Sequence, residues 1–394
     1  MKNLSSRPFR LALFASIYFV QGSALAYLRN FLKPFLDSQG IDADTIGLLA
    51  GIMLVPFILK PFIGILSDRV NLFGWGHRKP YIIIGLIVTA ISFAFASFTL
   101  PVDNFLLFAV LILIGGFNVA LFDSTADGLA IDTTPPEEEG LVQGTMVGGR
   151  AVGFIILSLV FGSLVETQGN SIIFLIIAGS MLLPLFFVFR IKEPAKRAAT
   201  QQFDWAVLRE AINGRFAFFA AYAIFYSMVA YGIDGLVTFF MSDQFQATER
   251  SIGQYGALRG VGAVVGALLG ALLLGKIGRR TGGYIAFVLV SISGVLLATA
   301  TSINWILAVG LFWGMAWGFQ ETIFVAMAMN LADKRIAATM FALMMAISNV
   351  GVGIGEGVAT GLTDDIGFTA VFWILVGINF VNVPILLRLF KDEG

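Results

Sequence analysis

Apolar and polar residues follow one another along this chain in long blocks. Twelve apolar stretches are predicted to span a membrane, at 10–36, 43–66, 80–99, 104–131, 140–165, 171–189, 216–240, 252–276, 283–301, 304–329, 337–361 and 368–389. A crossing helix needs about 20 consecutive, mostly apolar residues. The runs are continuous and contain glycine, which argues for helices and against the short alternating strands of a membrane barrel. Most loops are too short to hold a soluble domain. The longest, 189–215, divides the spans six and six. The predicted fold class is therefore an all-α membrane protein with twelve transmembrane helices in two pseudo-symmetric six-helix bundles. The expected domains are an N-terminal bundle at 1–189, a linker at 190–215 and a C-terminal bundle at 216–394. Within the linker, Trp205–Ile212 is predicted as a short surface helix.

Composition agrees with that pattern: 58% of the 394 residues are hydrophobic, 13% are charged and the mean hydropathy is +0.88. Such values exclude a soluble domain. There is no cysteine, so disulfide and thiolate chemistry are excluded, and the net charge of zero says little about partners. Lys and Arg give the orientation. With both termini cytoplasmic, 19 of them fall inside and only Arg29, Lys33 and Arg250 outside. The first 26 residues resemble a signal peptide, but the apolar helix runs on through Tyr27 to Leu36 and is counted as span one. The expected location is a bacterial inner or plasma membrane.

The two halves echo each other. Asp123 in span four precedes Glu321 in span ten by 198 residues, and Gly153 in span five precedes Gly351 in span eleven by the same 198. The loop GHRKPY after span two resembles GRRTGGY after span eight. Duplicated halves are a recurring build of membrane carriers. Small residues four apart allow close helix packing. They recur as Gly47 and Gly51 in span two, Gly140, Gly144 and Gly148 in span five, Gly256, Gly260, Gly262, Gly266 and Gly270 in span eight, and Gly353, Gly357 and Gly361 in span eleven. Each strip alone reads as static packing; the four together suggest an interface on which two bundles rock.

The stretch GILSDRVNLFGWGHRKPY at 64–81, set after the second of twelve spans, resembles the major facilitator superfamily. That family's loop signature falls on Gly64, Asp68, Arg69, Arg78 and Lys79. The resemblance implies a gate there, in which Asp68 accepts from a helix N-terminus or from an arginine across the bundle. The alternative is that the basic residues only anchor the cytoplasmic side. LVPFILKPFIGILSDRVNLFGWGHRKPYI at 54–82 is similar to folate–biopterin transporters. FDSTADGLAIDTTPPEEEG at 122–140 and NLADKRIAATMFALMMAISNVG at 330–351 are similar to muropeptide permeases and acetyl-coenzyme A transporters. Light-harvesting assembly proteins share parts of both patterns. These relatives imply bulky, anionic, ring-bearing solutes.

The resemblance also implies that spans one, four, seven and ten line a cavity, which directs attention to their polar residues. Buried ions in apolar helices are costly and mark function by default. Gln21 and Arg29 share a face of span one, and Arg29 either lines the cavity or snorkels outward. Asn118 lies in span four with Asp123 and Asp127, an i, i+4 pair of acids that disfavours double ionisation. Both acids either couple protons or are neutralised by Arg150 of span five. Tyr231 and Asp234 share a face of span seven, and an Asp234–Arg259 pair is expected, fixed or opening to a substrate carboxylate. Trp313, Trp317 and Glu321 follow i, i+4 spacing in span ten beside Gln320, as a stacking wall with an acid or as core. Glu356 sits among the glycines of span eleven. Lys60 in span two is expected to snorkel to the cytoplasmic face. The substrate-cavity set is then Gln21, Arg29, Asn118, Arg150, Tyr231, Arg259, Trp313, Trp317 and Gln320. The proton-coupling set is Asp123, Asp127, Asp234, Glu321 and Glu356.

Other chemistries lack their parts. His77 is the only histidine and lies in a loop, so histidine metal sites and Ser-His relays cannot be built, and no phosphate-binding loop is present. No enzyme activity, cofactor, metal or nucleic-acid partner is expected. The expected partners are a small solute, protons and the lipid bilayer, with the chain acting as a monomer. The function expected is secondary active transport of a small organic anion by alternating access with proton coupling. The alternative is a transport-inactive scaffold or pigment-complex assembly factor of the same fold.

Overall fold

The computed structural model describes residues 6–135, 138–193, 209–210, 212–331 and 337–391. Most of the expected linker helix at 205–212 lies outside the described residues. Among the described residues, ten helical stretches are long and apolar enough to cross a membrane. One of them, Glu249–Ala298, joins spans eight and nine across Gly278, whose φ of 74° breaks the helix. Ile303–Leu331 supplies span ten, so all twelve predicted spans are accounted for.

Helix starts follow ordinary capping chemistry. Asn104 accepts from the Leu107 N–H at the head of span four (Phe105–Thr133), and Asn213 accepts from Arg215 and Phe216 at the head of span seven (Gly214–Phe245). Span two is not one helix. It is built as Ala43–Ile52, Val55–Ile58 and Lys60–Arg69, interrupted around Pro56 and Pro61. Proline removes a backbone donor and clashes with the preceding turn, so two of them within six residues break the rod.

The chain divides into two compact units. The first holds the described residues of 1–40 and 59–200, the second those of 41–58 and 201–394. The division falls in the broken part of span two. Segment 41–58 belongs to the second unit because its glycines meet those of span eleven (Ala337–Gly361). A Cβ on Gly47 would lie 2.5 Å from the Gly357 carbonyl oxygen. No other residue allows such an approach.

Within the first unit, span one (Arg7–Asn30) packs along span five (Glu139–Gln168). A Cβ on Gly153 would lie 2.2 Å from the Phe19 oxygen. Within the second unit, span seven packs along span eleven, and a Cβ on Gly351 would lie 2.3 Å from the Ile224 oxygen. The two glycines are 198 residues apart, so the same contact recurs in each half. The other glycine strips divide. In span eight, Gly262 and Gly266 press on Leu311 and Met315 of span ten, and Gly314 and Gly318 return the contact on Arg259 and Ala263. That strip is packing inside one unit. In span five, Gly144 and Gly148 meet nothing within 4 Å, while Gly149 and Gly153 make the contact with span one.

Candidate functional site

In the first unit the charged residues meet between spans one, two, four and five. Lys60 forms an ion pair with Asp123, whose side chain is 4% exposed. Lys60 therefore does not snorkel outward as the sequence suggested. It opens the helix Lys60–Arg69 after the break, and from there its stem reaches span four. One turn along span four, Asp127 accepts a hydrogen bond from the Tyr18 hydroxyl. The Arg150 guanidinium lies over the Tyr18 ring, 5.5 Å from its centroid. Arg150 thus does not pair with either acid; Lys60 takes the role expected of it for Asp123. Arg150 remains within electrostatic reach of both Asp127 and Lys60. Gln21 is buried on span one, one turn from Tyr18. The Asn118 amide donates to its own helix, to the Ile114 oxygen at 2.9 Å.

The second unit holds two linked groups. Asp234 and Arg259 form a two-pronged pair, Nε to Oδ1 at 2.9 Å and Nη2 to Oδ2 at 2.8 Å, with side chains 5% and 8% exposed. The Trp313 indole N–H also donates to Asp234 Oδ1 at 2.9 Å. With Trp313 wholly buried, it is a pillar of this pair and not part of an open stacking wall. Trp317, one turn along, carries the Arg259 guanidinium 4.2 Å above its ring. Tyr231 meets the Trp317 ring edge-on at 5.9 Å and donates its hydroxyl to Glu321 Oε1 at 2.8 Å. The Tyr226 hydroxyl donates to the same oxygen at 2.5 Å. The i, i+4 spacing of Trp317 and Glu321 therefore places an aromatic face, a guanidinium and a carboxylate in one line along spans seven and ten. Gln320 is buried on span ten beside Glu321, and Glu356 is buried on span eleven. Arg29 is half-buried near the end of its helix.

The signature loop is tied down within its own unit. Arg78, 7% exposed, pairs with Asp68 and with Asp132 (Nε to Oδ2, 3.1 Å), and also donates to Ser67. Gly128 leaves room for its guanidinium. Glu193, just after span six, accepts from the backbone N–H groups of His77, Arg78 and Lys79, where span three begins. A carboxylate there meets both free N–H groups and the positive end of the helix dipole. Lys79 donates to the Phe189 and Ile191 oxygens, both at 2.9 Å. Asp68 is thus paired to Arg78 of the same loop. Arg69 and Gly64 make none of these contacts.

Three partners were missed in the sequence: Lys60, Tyr18 and Tyr226. Tyrosine on an apolar helix looks like core, and only the fold shows that these two hydroxyls end on carboxylates. The positions of Tyr18 and Tyr226 along their own spans carry no signal, because their acids lie on other spans.

Comparison with known proteins agrees with the architecture. The chain is 25% identical over 375 residues to a folate-biopterin transporter of Synechocystis sp., covering 90% of this chain and 74% of that protein. It is 22% identical over 359 residues to the anhydromuropeptide permease of Escherichia coli strain K12, covering 87% and 72%. Both groups are among those the sequence motifs resemble. Among solved structures, the nucleoside transporter NupG superposes with a TM-score of 0.78 at 16% identity over 97% of this chain and 99% of that one. That likeness shows the fold alone. The profile described as Major Facilitator Superfamily matches residues 14–355 and also 219–394. The protein is a multi-pass membrane transporter of small solutes, not an enzyme, and the chain belongs to the major facilitator superfamily.

Proposed function

We propose that the protein is a proton-coupled transporter of a flat organic anion, working by alternating access in a bacterial inner membrane with both termini cytoplasmic. The observation that carries this reading is the line in the second unit: a guanidinium stacked on Trp317, then Tyr231, then Glu321 held by two tyrosine hydroxyls. An aromatic face beside a guanidinium suits a planar, negatively charged solute. Glu321 is a carboxylate bonded by neutral hydroxyls inside apolar helices, whereas a guanidinium fork and an indole N–H engage both oxygens of Asp234. Glu321 is therefore the coupling acid of this unit, and Asp234 a fixed counter-ion that aims Arg259. Trp317, Tyr231 and Arg259 contact the solute. The named relatives, a folate-biopterin transporter and a muropeptide permease, favour a bulky anion. The division into two compact units at the break in span two supports alternating access.

The test uses folic acid, a flat dianion, as the probe in liposomes reconstituted with the full chain. An inward proton gradient should drive its accumulation, and dissipating the gradient with an ionophore should abolish it. Folic acid accumulation that ignores the gradient would contradict proton coupling. No transport of folic acid alongside transport of a cationic probe would contradict the anion assignment.

A further inference from the structure

A groove of about 620 Å³ opens on the surface of the first unit, between spans one, five and six. Its wall includes Ala12, Ser16 and Phe19 of span one, Gly148 and Val152 of span five, and Leu183 at the break in span six. The i, i+4, i+7 spacing puts the three span-one residues on one face. Tyr18, which reaches Asp127, is not part of that face, so the groove is separate from the charge cluster. Val152 and Leu183 are exposed, in spans that pass through lipid. The wall is apolar, because the Ser16 hydroxyl is turned back to its own helix, donating to the Leu13 oxygen at 2.7 Å. A Cβ on Gly148 meets nothing within 4 Å, so a larger side chain there would enter the groove. Along span one the lining runs from Ala12 to Val20, about 12 Å at 1.5 Å per residue, close to the ~15 Å of one leaflet's hydrocarbon.

One end of this groove is aromatic and then cationic. Phe9 and Phe187 meet edge-on at 5.8 Å, three residues before Ala12 and four after Leu183. Beyond them come Arg7 and Lys192, both exposed, and Arg190, whose guanidinium rests 3.5 Å from the centre of the Phe186 ring. The acids beside these cations are engaged: Glu138 pairs with Arg10, and Glu193 accepts from the N–H groups of 77–79. The cations therefore set the charge where span one begins and span six ends. We propose that the groove holds an acyl chain of one anionic phospholipid, whose phosphate is met by Arg7 and Lys192. Charge complementarity selects this occupant. Basic sites between transmembrane helices hold anionic head groups, and charged donors make the stronger hydrogen bonds to phosphate. The bound chain covers the flank of the contact that Gly149 and Gly153 make with span one, and so braces that packing. This inference goes beyond the transport reading and does not depend on which solute is carried.

Native mass spectrometry of the full chain tests this, with dioleoyl phosphatidylglycerol and dioleoyl phosphatidylcholine supplied in equal amounts. The two lipids share their chains and differ in net charge. The wild type should retain one phosphatidylglycerol with a preference of roughly tenfold. Arg7→Gln/Lys192→Gln should bring the two lipids close to parity while a lipid is still retained. Gly148→Leu fills the groove and should lose the retained lipid of either kind. Ala12→Leu fills its other end and should do the same, which keeps the test decisive if Gly148→Leu does not fold. Glycerol 3-phosphate, which carries the charge without the chains, should not displace the lipid. Equal retention of the two lipids by the wild type would overturn the proposal. So would retention at the wild-type level by the filled-groove variants, or displacement by glycerol 3-phosphate, which would mark a site for soluble anions. A wild-type mass of two chains that Gly148→Leu reduces to one would assign the groove to a second copy and overturn it equally.

Discussion

The Asp234–Arg259 pair sets a quantitative prediction. Both side chains are nearly buried and meet through two hydrogen bonds, with Trp313 as a third donor to the carboxylate. Asp234→Asn keeps the shape and removes the charge, leaving a guanidinium uncompensated among apolar helices. Breaking a buried pair in this way costs about 3–5 kcal/mol. For a chain of 394 residues the entropy of unfolding is about 0.8 kcal/mol/K, so the melting temperature should fall by roughly 4–6 °C. Arg259→Gln should cost a similar amount, while Asp234→Asn/Arg259→Gln should cost markedly less than the two losses added, because no ion is then left alone. Fluorescence-detected melting in detergent, run as a double-mutant cycle, gives the coupling directly. The swap Arg259→Asp/Asp234→Arg adds the functional half. It should recover part of the stability but not folic acid transport, since the guanidinium would no longer lie over Trp317. An Asp234→Asn variant that melts within about 1 °C of the wild type would refute the fixed-pair argument, and full transport by the swapped protein would remove Arg259 from the solute site.

Further consequences are checked with simpler variants. Gly266→Ala places a methyl 2.0 Å from the Met315 oxygen, so spans eight and ten must separate, and a loss of about 1–3 kcal/mol should appear in the melting curve. Gly148→Ala meets nothing within 4 Å and should be neutral or stabilising by up to ~1 kcal/mol. Glu193→Ala removes the acceptor for three N–H groups at the start of span three, so amide hydrogen exchange at 77–79 should rise while exchange in the middle of span three stays unchanged. Asp42 caps segment 43–52, and the Thr45 N–H and hydroxyl hold its carboxyl below the usual range. Its contribution is present at neutral pH and lost as pH falls through that lowered range. Asp42→Ala should thus cost ~1 kcal/mol near pH 7 and nothing once the wild-type cap is protonated.

The sequence made the architecture legible because apolar blocks of membrane-spanning length leave few alternatives, and because Asp123/Glu321 and Gly153/Gly351 share one offset. It also identified Asp234 and Arg259 as partners, since an ion in an apolar span must find an opposite charge at its own depth. It could not give Lys60 its partner. Snorkelling is the cheaper fate for a lysine near a span end, and only the break at Pro56 and Pro61 brings Lys60 onto Asp123. Trp313 and Trp317 look alike in spacing but part in the structure: one indole is spent on Asp234, the other lies under Arg259. Glycine spacing likewise marked close packing without telling which neighbour. The span-eight strip serves span ten of its own unit, and the contact in span five falls on Gly149 and Gly153 rather than Gly144 and Gly148.

The most direct test of proton-coupled transport is Glu321→Gln in proteoliposomes, with folic acid measured in two modes. Glutamine keeps the partners Tyr226 and Tyr231 but cannot carry the proton. Gradient-driven accumulation should be lost in this variant, while exchange of internal for external folic acid continues near the wild-type rate. Accumulation against the gradient at the wild-type level by Glu321→Gln would contradict it.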